Sequence, residues 1–161
     1  MGFQFIDRID QITRNQSITA RRFLSSTEQY LKDHFPSFPV MPGVLILEAA
    51  VQAASWLIRY SEEFEPSCIT VSEVSNVKFG QFVRPGDTLE LKAECVGKNG
   101  DESDFQARAS LSGGKSALKV RFRLKKKSLK GASETLNWLD DNIRKEFRER
   151  FNLIAKKAVL A

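Results

Sequence analysis

Two residue types able to move protons lie close together in one stretch, residues 34–52. His34 is the only histidine of the 161-residue chain, and fourteen positions later Glu48 is the one ionisable residue between Val44 and Ile58. A neutral imidazole changes protonation near physiological pH and can act as a general base. A carboxyl group in dry surroundings is pushed towards its protonated form and can act as a general acid. Plainer uses exist for both: a hydrogen-bonded loop histidine, and a glutamate that complements the positive end of a helix. The two residues by themselves leave both readings open.

The elements that must position them are legible. Pro36, Pro39 and Pro42 each fix φ and restrict the preceding residue, so residues 34–42 form a stiff, non-helical loop. Pro42-Gly43 then opens a helix expected over residues 43–61, a run without Gly or Pro from Val44 to Ile58. Its residues are apolar almost all round, the mark of a helix enclosed by other structure, so Glu48 is expected in dry surroundings. Glu48 and Gln52 interrupt the run, and it is too short for a membrane span.

Around that helix the chain alternates apolar and polar residues. A hairpin is expected over residues 3–10 and 12–24, turning at Asn15-Gln16. Strands are expected at 69–79, 88–96, 104–112 and 117–124, separated by Pro85-Gly86-Asp87, Lys98-Asn99-Gly100-Asp101 and Gly113-Gly114. A hairpin, a buried helix and several antiparallel strands make an α+β fold with the helix on one face of the sheet. Residues 125–131 read as a basic linker, and Ser133 is placed to cap a helix over 134–157. Leu136, Leu139, Ile143, Phe147, Phe151, Ile154 and Ala158 give that helix one apolar face, widened by Trp138 and Leu153. The face is expected to pack on the body of its own subunit. The division is therefore a domain over 1–131 and a helical extension over 132–161.

His34-Phe35-Pro36, Pro39-Val40-Met41-Pro42-Gly43-Val44, Glu48-Ala49 and Gln52 together resemble the active-site signature of bacterial 3-hydroxyacyl-[acyl-carrier-protein] dehydratases of fatty-acid synthesis. Phe5-Ile6-Asp7-Arg8, and Lys78-Phe79 with Arg84-Pro85-Gly86-Asp87, are similar to further parts of that family's pattern. Glu rather than Asp at position 48 resembles the branch that dehydrates without isomerising, while Asp33 stands where the family usually has Gly. The resemblance implies a hot-dog fold, an antiparallel sheet wrapped around one central buried helix, here with an extra C-terminal amphipathic helix. It implies dehydration of 3-hydroxyacyl-[acyl-carrier-protein] to the trans-2-enoyl product in fatty-acid or related lipid biosynthesis, with no cofactor and no metal. In that reading His34 takes the α-proton, the Gly43 N–H at the positive end of the helix receives the enolate oxygen, and Glu48 protonates the departing hydroxyl. The family's sites are composite, His from one subunit and carboxylate from its neighbour, which implies a homodimer or a higher oligomer. Phe35, Phe38, Met41, Phe79 and Phe82 become candidate walls of an apolar acyl tunnel, and Gln52 a further substrate contact. A hot-dog acyl thioesterase and a non-catalytic acyl-thioester-binding protein are the alternatives.

Charge is unevenly spread: residues 1–113 carry 11 Lys or Arg against 15 Asp or Glu, and residues 114–161 carry 14 against 5. An acidic partner is expected for the C-terminal third. The resemblance implies an acyl carrier protein bearing a phosphopantetheine arm, docking on Arg84, Arg121, Arg123, Lys125, Lys126 and Lys127. Nucleic acid is disfavoured because the basic run lacks interleaved aromatics. Cys68 and Cys95 lie in apolar, strand-like surroundings without metal-ligand spacing, which suits reduced thiols in the cytoplasm.

Overall fold

Nine elements follow one another in the computed structural model, which describes residues 3–161. They are β1 (Arg8–Thr13), β2 (Ser17–Phe23), α1 (Gly43–Ser61), β3 (Cys68–Phe79), β4 (Thr88–Asn99), β5 (Glu102–Leu111), β6 (Ser116–Lys127), α2 (Glu134–Ile154) and β7 (Val159–Leu160), with a short 3-10 turn at Gln29–Lys32. The strands form one sheet in the order β3-β6-β5-β4-β2-β1-β7, antiparallel except where β7 joins β1. Turn chemistry sets the hairpins: Asn15 (φ 59°) reverses the chain between β1 and β2, and Gly100 (φ 62°) does so between β4 and β5. Asn and Gly are the residues that enter this left-handed region at least cost.

α1 lies across the inner face of the sheet. Its bounds are those expected, and small side chains let it sit close: Ala49, Ala53 and Ala54 are fully buried, as are Ala93 and Ala109 on the strands beneath. Close approach of backbones raises the number of dispersion contacts per residue. The core is filled by Phe5, Ile9, Ile12, Leu57, Leu91, Phe105 and Leu118.

Four features differ from the sequence reading. The first strand, expected from residue 3, begins only at Arg8, and the Phe5 N–H donates to Gln52 rather than to a strand. Lys125, Lys126 and Lys127 extend β6 rather than forming a linker, because each pairs across to β3 through Thr70, Ile69 and Cys68. α2 ends at Ile154, three residues early, and the last residues return to the sheet as β7, where the Arg14 N–H donates to the Ala161 carbonyl at 2.7 Å. The enclosure of α1 is incomplete: Val44 is 68% exposed and Glu48 is also exposed, since these positions share a face that looks past the sheet.

α2 packs on its own body, as expected, through its C-terminal half. Phe151 stacks on Tyr60 (centroids 5.3 Å) and meets Phe64 (5.4 Å), and Phe147 sits edge-on to Trp56 (5.6 Å). The nearly buried Arg59 lies 3.7 Å over the Phe147 ring, and burial pushes its guanidinium down to about 10. The Ser133 hydroxyl accepts from the Leu136 N–H at 3.2 Å as the expected cap. Asp140, fully buried, holds the preceding loop by accepting from Leu129 N–H (2.8 Å) and Ser128 Oγ (3.1 Å).

Candidate active site

The loop before α1 is held by its own backbone. Phe35 N–H donates to the Phe38 carbonyl (3.3 Å) and Phe38 N–H to that of Phe35 (3.0 Å), while Val40 N–H donates to the His34 carbonyl (3.0 Å). Met41 N–H donates to the Val83 carbonyl at 2.8 Å and ties the loop to the chain leading into β4. The His34–Phe35 peptide bond is cis. The His34 ring stacks on Phe35 (4.2 Å), and its Nδ1–H donates to the Val40 carbonyl at 3.1 Å. A carbonyl can only accept, so this bond keeps the proton on Nδ1 and leaves the Nε2 lone pair free to take another.

His34 borders an apolar cavity of about 340 Å³, walled by Met41, Gly43, Ile46, Phe79, Phe82 and Ala117 among others. Gly43 is the first residue of α1, and its N–H finds no acceptor among the described residues. The first N–H groups of a helix are left over by its own bonding and attract developing negative charge. A Cβ on Gly43 would stand 2.8 Å from the Phe79 ring, so glycine is what leaves the approach open. The cavity thus joins a fixed base, an unpaired amide and an apolar wall.

No acidic side chain lines the cavity among the described residues. Glu48, expected in dry surroundings, is exposed in the single chain, and its Oε1 accepts from Gln52 Nε2 at 2.9 Å. Gln52, expected as a substrate contact, is otherwise committed to the N-terminal segment: Nε2 also donates to the Phe3 carbonyl (2.8 Å), and Oε1 accepts the Phe5 N–H (2.8 Å). Of the expected tunnel walls, Met41, Phe79 and Phe82 line the cavity. Phe35 and Phe38 lie outside it; Phe38 packs edge-on to Phe82 (5.9 Å) and carries the Arg84 guanidinium on its face (4.8 Å). The sequence reading passed over Val40, Val44, Ile46, Gly80, Gln81 and Ala117 as lining residues. Ala117 was findable as an inward position of a strand, and Ile46 as one helical turn on from Gly43.

The expected docking cations fare unequally. Arg123 pairs with Asp104 (2.8 Å) and Glu73 (3.2 Å), Lys125 with Asp101 (3.6 Å), and Lys126 with Glu62. Arg121 and Lys127 are exposed and carry no ion pair among the described residues. A polar groove of about 430 Å³ beside α2 is lined by charges of both signs, including Asp141, Arg144, Lys145 and Glu149, with no apolar residue among its described lining. Among the described residues there is no cluster of His, Cys, Asp or Glu placed to hold a metal ion, and no helix long and apolar enough to cross a membrane.

A long helix clasped by a curved, mainly antiparallel sheet, with a base beside an apolar cavity at the helix start, is the arrangement of a hot-dog dehydratase. The family model of ApeI-like proteins, described as ApeI dehydratase, matches residues 10–128, and the chain belongs to that family of hydro-lyases. It is 39% identical over 107 residues to the 3-hydroxyacyl-[acyl-carrier-protein] dehydratase FabZ of Levilactobacillus brevis, covering 66% of this chain and 72% of that protein. It is 44% identical over 94 residues to the FabZ of Pediococcus pentosaceus, covering 58% of this chain and 63% of that one. The dehydratase heterocomplex ApeI:P from Xenorhabdus doucetiae shares the fold, with a TM-score of 0.62 over 85% of this chain and 90% of its own at 12% identity.

Proposed function

We propose that the protein dehydrates 3-hydroxyacyl chains held as thioesters on an acyl carrier protein, in fatty-acid or related lipid biosynthesis, at a site assembled from two copies of the chain. The observation that carries the reading is the His34 cavity itself: base, orphan amide and apolar wall are together, and the acid is missing. His34 Nε2 takes the proton from C2 of the substrate. The charge that develops on the thioester oxygen is met by the Gly43 N–H, already unpaired and therefore free of reorganisation cost. The bond from C3 to its hydroxyl then breaks, and Glu48 of the second copy supplies the proton that lets the hydroxyl leave as water. His34 ends protonated and Glu48 ionised, and solvent returns the proton between them.

The same reading accounts for two exposed features. β3 is an edge strand whose backbone is open along its outer side, and its inward residues Val71, Val74 and Phe79 are 43%, 39% and 56% exposed. A second copy paired along β3 would cover these side chains and bring its own Val44–Glu48 face towards them. The free thiols Cys68 and Cys95 suit a reducing compartment and so support a reaction in the cytoplasm. The test is hydration of a crotonyl carrier thioester, the reverse reaction. His34→Ala and Glu48→Gln should each abolish it; wild-type rates in either would rule the pair out. Release of free thiol in place of an enoyl equilibrium would point instead to a thioesterase.

A further inference from the structure

The outer face of the sheet, opposite α1, carries a feature that the reaction does not use. Lys78 of β3 pairs with Lys119 of β6, Lys119 with Arg108 of β5, and Arg108 with Lys92 of β4. Four cations thus stand in register across four neighbouring strands. They share one face, because Lys119 lies between buried Leu118 and Val120, Arg108 between buried Ala107 and Ala109, and Lys92 between buried Leu91 and Ala93. Arg121, the next outward residue of β6, adds a fifth. Among the described residues only Lys92 has an ion-pair partner, Glu94 at 2.6 Å, which also acts at longer range on Arg108; Lys78, Lys119 and Arg121 have no ion pair. Like charges directly opposite each other destabilise a sheet, and one acidic residue in the row would have relieved the conflict. Glu94 in the neighbouring row offsets part of the Lys92 and Arg108 charge, and among the described residues no ion pair offsets Lys78 or Lys119.

We propose that this row is the seat of an acidic helix of the carrier protein; the proposal rests on the function above and gives its partner an address. Neighbouring strands lie about 4.8 Å apart, so the row is roughly 14 Å long. Carboxylates spaced one turn apart on a helix recur every ~5.4 Å and match it cation for cation. The band is narrow. Glu94 stands beside it, and one row beyond Arg121 come Glu73 and Asp104, already salt-bridged to Arg123. A flat anionic surface such as a membrane would press on those carboxylates as well, whereas a single rod would not. Lys78 is one residue from Phe79 and Lys119 two from Ala117, both walls of the His34 cavity, so a partner seated there stands at the strand end beside that cavity.

The test uses Lys119→Glu, with Arg108→Glu as a second variant and Lys157→Glu as a control of equal charge change. In Lys119→Glu the new carboxylate lies between Lys78 and Arg108, so the melting temperature should hold or rise. Turnover of a carrier-bound 3-hydroxyacyl substrate at low salt should fall about tenfold or more in kcat/KM, as for loss of a charge in an electrostatic docking surface. Turnover of the same acyl group on free pantetheine should match the wild type, as should Lys157→Glu on both substrates. Wild-type kcat/KM on the carrier substrate in both sheet variants would overturn the proposal and leave the catalytic reading standing. Wild-type inactivity on both substrates would sink the catalytic reading, yet apo-carrier binding lost in Lys119→Glu alone would still support the row. Binding of anionic phospholipid vesicles, lost in Lys119→Glu while carrier turnover persists, would overturn it in favour of a membrane.

Discussion

Mixing two dead variants gives the sharpest test of a shared site. His34→Ala removes the base and Glu48→Gln the acid, so neither homodimer contains a working site if the two groups come from different copies. In a heterodimer one site receives both mutations and the other receives neither, since a two-fold interface uses the same surface on each subunit. Random exchange at a 1:1 ratio yields about half heterodimers with one good site of two, hence roughly a quarter of wild-type activity per subunit. For any mixing fraction x the activity should follow x(1−x), a parabola that vanishes at both ends. The expectation comes from a His34 cavity that no acidic side chain lines, and from an exposed Glu48 on the face shared with Val44. The assay is crotonyl thioester hydration after co-refolding, with heterodimers counted by native mass spectrometry. No activity at any x, with heterodimers present, would refute the two-chain site.

Further expectations concern the amide, the extension and acid stability. Gly43→Ala places a methyl group 2.8 Å from the Phe79 ring, which closes the approach to the amide; kcat/KM should fall about 10²-fold or more, the cost of losing one oxyanion donor, with an unchanged circular-dichroism melt. A variant keeping above a tenth of the wild-type rate would rule out that role. Phe151→Ala should cost about 3–5 kcal/mol in urea unfolding, as for a buried aromatic, since Phe151 is 6% exposed among Tyr60 and Phe64; a loss under ~1 kcal/mol would mean that α2 does not pack as described. Burial opposes ionisation of Asp140, but hydrogen bonds from Ser67, Leu129 and Ser128 and the charge of Arg144 outweigh it and lower its pKa. A lowered folded-state pKa gives stability that is present above the unfolded value of about 3.9 and lost as pH falls through the folded one. Acid titration of Trp fluorescence should therefore show a transition below pH ~4 that Asp140→Asn flattens; an identical profile in the variant would exclude Asp140 as its source.

The parts of the fold written locally were legible. Three prolines and Gly43 fixed the start of α1, and Asn15, Gly100 and the Gly113-Gly114 pair marked the hairpins. What depends on distant partners was not. Three consecutive lysines read as a linker because their strand partners on β3 lie more than fifty residues away. Arg123 read as a docking residue because nothing near it in sequence reveals Asp104 and Glu73 as neighbours across the sheet. Glu48 was expected to be dry from the apolarity of its helix, but the face it shares with Val44 is left uncovered by the sheet. β7, at two residues, is too short for any periodicity to show. In the site, His34, Met41 and Gly43 border one cavity, Phe35, Phe38 and Glu48 lie outside it, and Gln52 holds the N-terminal segment and Glu48.

The two borders of the sheet are unlike. At one, β7 and the terminal Ala161 sit against β1 and occupy its outer hydrogen-bonding groups from Ile12 to Arg14. At the other, the twelve residues of β3 pair with β6 on one side and, among the described residues, with no strand on the other. A sheet with two open sides can add copies indefinitely and grow into a ribbon; one with a single open side is saturated after a single addition. The short C-terminal strand thus closes that border, and if copies pair along β3 as proposed, deleting residues 159–161 should let larger assemblies form, read as added mass in light scattering.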